Sequence, residues 1–384
     1  MSFWILYGLL TSFLVSISYM VKNKYQRIIS YIMLVLMILV SGFRYRIGYD
    51  YDQYMNMYSW ISYDPNMVWP EPSFQILCQI LRTLGFEFQM LFLLYAMVSL
   101  IFFYKGLCYY LDDDYRQISV ALGIFTLGTI GLVGLWFSFT MIRQFAAMAI
   151  IFWGIKYIFA ANRSFIKFFF SISLATFFHT SSVIFIVLYF VPTKLSKKKI
   201  FILILGIPFI VKLILSLPSV QLIMALSDRL SGYSLEKTNI DEVSISSYIM
   251  TLAMLTFVFF KLKLTNEKRN ILLLLTSLGL SLKIFLSGLY GLDRIASEFL
   301  IFFYPTLVLC LSDIRCGYFA HLGLTSLIIL MFFVLNIHMI IQYPDTLIAK
   351  TIGGSHANID YVFNTDIRNG FWSFYDLLTA VYSF

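Results

Sequence analysis

"RSFIKFFFSISLATFFHTSSVIFIVLYFVPTKLSKKK" runs from Arg163 to Lys199, and the fold turns on how it is read. Residues 165–191 are almost wholly apolar. They are long enough for one tilted transmembrane helix, since a span needs roughly 20 such residues. Basic residues flank both ends: Arg163 and Lys167 before, Lys194, Lys197, Lys198 and Lys199 after. Lysine and arginine gather on the cytoplasmic side of a membrane protein. One crossing would put a basic cluster on each side. Two short helices with a bend near His179 keep both on the same side, so this segment is expected to enter the membrane and return.

The rest of the chain supports a lipid environment. Its 384 residues are 60% hydrophobic and 12% charged, where a soluble domain is about half apolar and a quarter charged. The formal charge of +8 does not mark a nucleic-acid partner, because the lysines fall between apolar runs. Candidate spans lie at about 3–20, 28–42, 87–104, 117–135, 144–160, 200–217, 247–260, 270–287, 295–312 and 319–342. With the divided 165–191 segment this predicts about twelve transmembrane segments. Placing 21–27, 105–116, 156–167, 194–199, 261–269 and 313–317 in the cytoplasm gives them 17 of the 28 lysines and arginines, against 8 in the opposite loops and tail. Both termini then face outward. The stretch 73–85 reads as either a re-entrant or an interfacial helix. Lipid forbids unpaired backbone, so the expected fold is an all-α polytopic bundle: one membrane domain over 1–342 and an outer-face tail over 343–384. The cysteines (Cys78, Cys108, Cys310, Cys316) lack metal-ligand spacing and read as small hydrophobes.

A few outer residues run against the positive-inside bias. "SGFRYRIGYDYDQYMNMYSW" (Ser41–Trp60) carries Arg44 and Arg46 just past the second span. Arg143 opens a later span in "MIRQFAAMAI", and Arg294 another in "GLDRIASEFL". A guanidinium fork matches phosphate oxygens two at a time, so a lipid-linked phosphate or pyrophosphate at the outer surface would account for them. Snorkelling to headgroups, or pairing with Asp50, Asp52 or Asp293, is the alternative. Tyr49 and Tyr51 lie among the charges in "RYRIGYDYDQY". Their flat rings suit sugar faces, although an aromatic belt is normal at a membrane interface. His179, followed by Thr180, Ser181 and Ser182, forms a polar knot in an apolar segment. It is a candidate general base, or a histidine satisfied by a backbone carbonyl. Asp50 and Asp52 are candidate proton acceptors or salt-bridge partners of Arg44 and Arg46. Glu71, Asp293 and Glu298 rank below them. No GxxxxGK[ST] or post-strand GxGxxG occurs, so nucleotide hydrolysis is not expected, and no metal or cofactor is called for.

"GFRYRIGYDYDQY" (Gly42–Tyr54) resembles the "FRYxxGxDYxxY" signature of EpsG-type membrane proteins, a group that overlaps the Wzy-type polymerases of O-antigen and capsule. "MIRQFAAMAIIFWGIKYI" resembles the family's arginine-glutamine landmark, here Arg143 and Gln144. "ATFFHTSSVIFIVLYFVP" and "GLDRIASEFLIFFYP" resemble its third and fourth landmarks. They follow in order from about residue 1 to 342. The usual late "RxxxYF" reads "RIASEF" here, with Glu298 where an aromatic is common. The resemblance implies a glycosyltransferase of the bacterial inner membrane that moves a growing glycan from undecaprenyl pyrophosphate onto a new lipid-linked repeat unit, outside the membrane. The products would be O-antigen, lipopolysaccharide, capsule or exopolysaccharide, and a chain-length regulator protein is a partner of such enzymes. In that frame Arg143, Gln144 and Arg294 bind pyrophosphate, Arg44, Arg46, Tyr49 and Tyr51 lie beside them, and Asp50, Asp52 or His179 handles the proton.

Other classes fit less well. A flippase or transporter should carry mid-membrane charge, and Lys212 and Lys283 with His179 make a thin pathway. An O-antigen ligase shares the arginines but usually carries a larger late outer loop. A sugar O-acyltransferase would want its histidine near the cytoplasm.

Overall fold

A computed structural model describes residues 2–44, 47–48, 50–60, 71–127, 134–215, 217, 245–286, 293–314 and 323–331, and no strand occurs among them. The helices are α1 (Ser2–Met20), α2 (Asn23–Gly42), α3 (Tyr51–Trp60), α4 (Pro72–Thr83), α5 (Gln89–Tyr110), α6 (Tyr115–Leu127), α7 (Leu135–Thr140), α8 (Ile142–Gly154), α9 (Phe165–Phe178), α10 (Lys197–Leu215), α11 (Ile245–Lys261), α12 (Glu267–Leu286), α13 (Asp293–Leu300) and α14 (Phe303–Ser312). A 3₁₀ helix, Thr180–Phe190, lies between α9 and α10, and 323–331 is helical.

Two helices are apolar on every side and form the interior, as the absence of a polar stripe requires. In α8, residues 144–152 are all buried, and in α12 so are residues 271–282. The first packs against α5 and α9, the second against α10, α11 and α13. Outer helices turn large apolar side chains outward, among them Leu6 and Phe13 on α1, Val35 on α2, and Phe209 and Ile210 on α10. Such a surface suits hydrocarbon rather than water.

Four helices are long and apolar enough to cross a membrane: Phe3–Met20, Asn23–Gly42, Gln89–Tyr110 and Glu267–Leu286. The other apolar helices are shorter because expected spans are broken. The 295–312 span divides at Ile301 and Phe302, where Pro305 has no N–H to donate back to the Ile301 carbonyl. The 144–160 span ends as α-helix at Gly154 and tightens into a 3₁₀ turn, Ile155–Ile158. The described residues thus form a helical bundle with four helices of spanning length and do not show a count of twelve. Most of the 218–246 loop and all of the 343–384 tail lie outside the described residues.

The decisive segment does turn back on itself. At His179 the backbone is extended (φ −155°, ψ 121°), ending α9 and starting the 3₁₀ leg. The legs run back to back, with Phe165 at one start and Tyr189 near the other end 5.1 Å apart between ring centroids. Fourteen α residues and eleven 3₁₀ residues reach about 21 and 22 Å, so the legs match in length. The hairpin sits tight on α8: a Cβ on Gly154 would come within 2.6 Å of the Ser171 Cβ.

Among the described residues, the loops that the charge count places together do meet. At one end Arg27 lies over Tyr115, with the guanidinium carbon 5.6 Å from the ring centroid. There too Lys268 pairs with Asp112 at 2.5 Å, Lys194 with Glu267 at 3.4 Å and Arg269 with Asp313 at 2.6 Å. The Ala160 N–H donates to Glu267 at 3.1 Å. These contacts join all six loops assigned to the cytoplasmic side. Of the opposite loops, the described parts of 43–72 and 136–143 meet at the other end, where Arg44 donates to the Phe139 carbonyl and Arg143 pairs with Glu71. The 73–85 stretch is the short helix α4. It buries Ser73, Phe74, Cys78 and Leu81 and leaves Ile76 and Ile80 exposed.

Candidate functional site

Glu71 stands just before Pro72, the first residue of α4. Proline suits that position because its missing N–H would have no helical partner there. From this helix start the carboxylate reaches two other elements. One oxygen, Oε2, accepts from the Arg143 guanidinium in the first turn of α8. The other, Oε1, lies 2.7 Å from Nδ1 of His179 at the hairpin tip. Burial alone would raise the Glu71 carboxyl. The His179 hydrogen bond and the Arg143 charge outweigh that and bring it from its ordinary 4.5 down to about 2. The Glu71 side chain is only 10% exposed, Arg143 22% and His179 27%.

Aromatic side chains frame this cluster. The Arg143 guanidinium lies 5.6 Å from the Tyr54 ring centroid and 5.8 Å from that of Phe74. Phe178, next to His179, meets Tyr95 edge-on at 5.7 Å. Its backbone is held as well: the His179 N–H donates to the Ala175 carbonyl at 2.8 Å, and Ser182 N–H donates to the His179 carbonyl at 3.1 Å. The imidazole is therefore fixed at both its base and its ring.

Ser181, two residues along the tip, donates to Oε1 of Glu298 on α13, and the Gln144 amide approaches the same oxygen at 3.4 Å. Phe185 seats the 3₁₀ leg on this helix through Phe299, at 4.9 Å between centroids. Glu298 is 3% exposed, and its Oε2 has no partner among the described residues; nor has the Nε of Arg143. The hairpin tip thus lies between two carboxylates, one engaged by a cation and an imidazole, the other partly unpaired in a buried position.

Expected site residues divide into three groups. Arg143, Gln144 and His179 come together with Glu71 and Glu298. Arg44 is turned inward, 1% exposed, and donates to the carbonyls of Ile47 (3.1 Å), Phe139 (3.0 Å) and Ser41, with its guanidinium 3.7 Å over the Phe92 ring. It serves here as a staple fastening the loop after α2 to α7. Gly48 completes the staple: its φ of +108° is one that side chains resist, and a Cβ would fall 2.5 Å from the Phe139 oxygen. The void beside Arg44, lined by Phe92, Tyr95 and Ile142 among others, admits no water molecule. Tyr51 is also inward, 2% exposed, against Phe88 and Phe92. Asp52 is exposed in the first turn of α3, and Asp50 is half-buried just before it. The carboxylate bonded to His179 is Glu71, not either of these. Arg46 and Tyr49 lie outside the described residues, and of Arg294 only its place on α13 is described.

The sequence alone places Glu71 and Glu298 below Asp50 and Asp52, though each carries a signal. An acid within an apolar span, as in "ASEFLIFFYP", is costly enough to be a functional candidate by default. An isolated acid before a proline-initiated helix marks an outer helix start near arginines that need a partner.

A model of the EpsG family matches residues 5–349. No curated protein and no solved structure matches the chain. With that match spanning nearly every described helix and all the residues of the site, the chain belongs to the EpsG family.

Proposed function

We propose that this protein polymerises a surface polysaccharide by transferring a growing glycan from undecaprenyl pyrophosphate to a new lipid-linked repeat unit. Family membership supports a polysaccharide polymerase-type function. The finer reading rests on one observation: a single carboxylate, Glu71, holds Arg143 with one oxygen and His179 with the other. That puts a cation suited to pyrophosphate and an imidazole suited to a hydroxyl proton within one side chain's reach.

The transfer needs few parts. Glu71 accepts Nδ1–H of His179 and leaves Nε2 as the nitrogen that takes the proton of the acceptor sugar hydroxyl. The acceptor oxygen bonds to the donor's anomeric carbon, and the bond from that carbon to the phosphate oxygen breaks. Arg143 stabilises the charge on the departing lipid pyrophosphate. Glu71, already ionised, stabilises the imidazolium without taking the proton. Glu298 offers its buried Oε2 to another hydroxyl of the acceptor. The chain would act as a multi-pass protein of about twelve segments in the bacterial inner membrane, with the lysine-rich end inward and the site outward. A chain-length regulator protein is its expected partner.

Deleting the gene in its native host and resolving surface polysaccharide on a gel tests this reading. The expected result is a ladder that collapses to core plus one repeat unit. Loss of every attached repeat with lipid-linked polymer accumulating would indicate a ligase instead. Repeat units trapped on the cytoplasmic face would indicate a flippase.

A further inference from the structure

We propose that Lys105, Lys156 and Lys167, gathered around Trp153 and Tyr157, bind the phosphate headgroup of an anionic membrane phospholipid at the lysine-rich end of the bundle. The three lysines come from separate elements: α5, the 3₁₀ turn after α8, and the first turn of α9. Nζ of Lys156 lies 3.6 Å from the Trp153 ring centroid and 4.8 Å from that of Tyr157. Nζ of Lys105 is 6.0 Å from the same Trp153 centroid, and Nζ of Lys167 is 5.9 Å from that of Tyr157. Three like charges thus converge on two neighbouring rings.

Three other cations at this end have anionic partners. Lys194 pairs with Glu267, Lys268 with Asp112 and Arg269 with Asp313. Among the described residues no carboxylate pairs with Lys105, Lys156 or Lys167. The conflict shows in Lys156, whose ammonium is made easier to deprotonate by burial and by the charges of Lys105 and Lys167. A cluster of this kind is stabilised by an anion that several ammonium groups share.

The surface leading to the cluster says which anion. On α5, Leu94, Met97, Ile101, Phe102 and Lys105 recur at helical spacing, and each is exposed or half-exposed. This apolar track ends at the cationic group. A phospholipid matches both parts: an acyl chain along the track and a phosphate at its end. Basic pockets between transmembrane helices recognise anionic headgroups in this way, at about 1 kcal/mol per lysine. Trp153 supplies the interfacial ring that sets the depth.

Full-length protein in detergent, titrated with phosphatidylglycerol or with phosphatidylcholine of the same acyl chains, tests the site by native mass spectrometry and thermal shift. Wild type should retain phosphatidylglycerol in preference and gain melting temperature from it, and the gain should fall with added salt. Lys105→Gln/Lys156→Gln should bind it roughly thirtyfold more weakly, and Lys105→Arg/Lys156→Arg should keep it. Equal retention of both lipids by wild type overturns the proposal without needing any variant to fold. So does undiminished phosphatidylglycerol binding by the double glutamine variant. Equal stabilisation by inorganic phosphate alone would mean a free-anion site and not a lipid site.

Discussion

Oε1 of Glu71 and Nδ1 of His179 lie 2.7 Å apart although the residues are 108 positions apart in the chain. A helix start and a hairpin tip are brought together to fix one imidazole. Glu71→Gln keeps an oxygen that can accept the Nδ1–H but removes the charge that stabilises the imidazolium. Turnover should fall by about a hundredfold or more, with donor binding less affected. Steady-state kinetics on lipid-linked substrate give the kcat and KM that check this.

The same carboxylate ties stability to pH. Its folded pKa is depressed from 4.5 to about 2, so its contribution is fully present above 4.5 and is lost as pH falls toward 2. A shift of this size corresponds to roughly 3 kcal/mol. Thermal melts of wild type and Glu71→Gln in detergent should differ most at pH 7 and converge as pH drops below 4.5. A gap that stays constant down to pH 3 would show that the charge of Glu71 is not what stabilises the cluster.

Arg44 and Gly48 should behave as structural residues. Arg44→Met leaves the carbonyls of Ile47 and Phe139 without their donor, and each such loss costs about 1 to 3 kcal/mol. Gly48→Ala adds strain at φ +108° and a clash with Phe139. Both variants should melt earlier and yield less folded protein, while what folds keeps a near-normal donor KM. A raised KM at unchanged melting temperature would return Arg44 to the substrate.

Glu298 should matter for the acceptor. Glu298→Gln preserves shape and the contact with Ser181 but weakens the acceptor capacity of the buried Oε2. Acceptor KM should rise about tenfold, because a group left imperfectly paired costs about 1 to 3 kcal/mol, and donor KM should hold. The reverse pattern would move Glu298 to the donor side.

The hairpin was legible because charge at both flanks admits few topologies, and a polar knot marks where a helix can bend. The grouping of loops at two ends followed from the same charges. The breaks at Pro305 and Gly154 were less visible, since hydropathy averages over a window and ignores single backbone groups. Arg143, Gln144 and His179 were readable as cations or polar groups out of place in lipid. Glu71 was readable as an acid at a helix start but not as the partner of Arg143 and His179, because these come from α8 and the hairpin tip, and no local pattern records which distant element a loop will meet. Arg44 shows the opposite case: the same charge that suggested phosphate is consumed by backbone carbonyls.

The most direct measurement reconstitutes the purified protein in vesicles containing undecaprenyl-pyrophosphate-linked repeat units and follows glycan length, comparing wild type with His179→Gln and Arg143→Ala. The expected result is a ladder from wild type, at least about a hundredfold less product from His179→Gln with donor binding retained, and loss of both product and donor affinity in Arg143→Ala. A wild-type ladder that His179→Gln reproduces in full would contradict the assignment of Glu71, His179 and Arg143 as the centre of transfer.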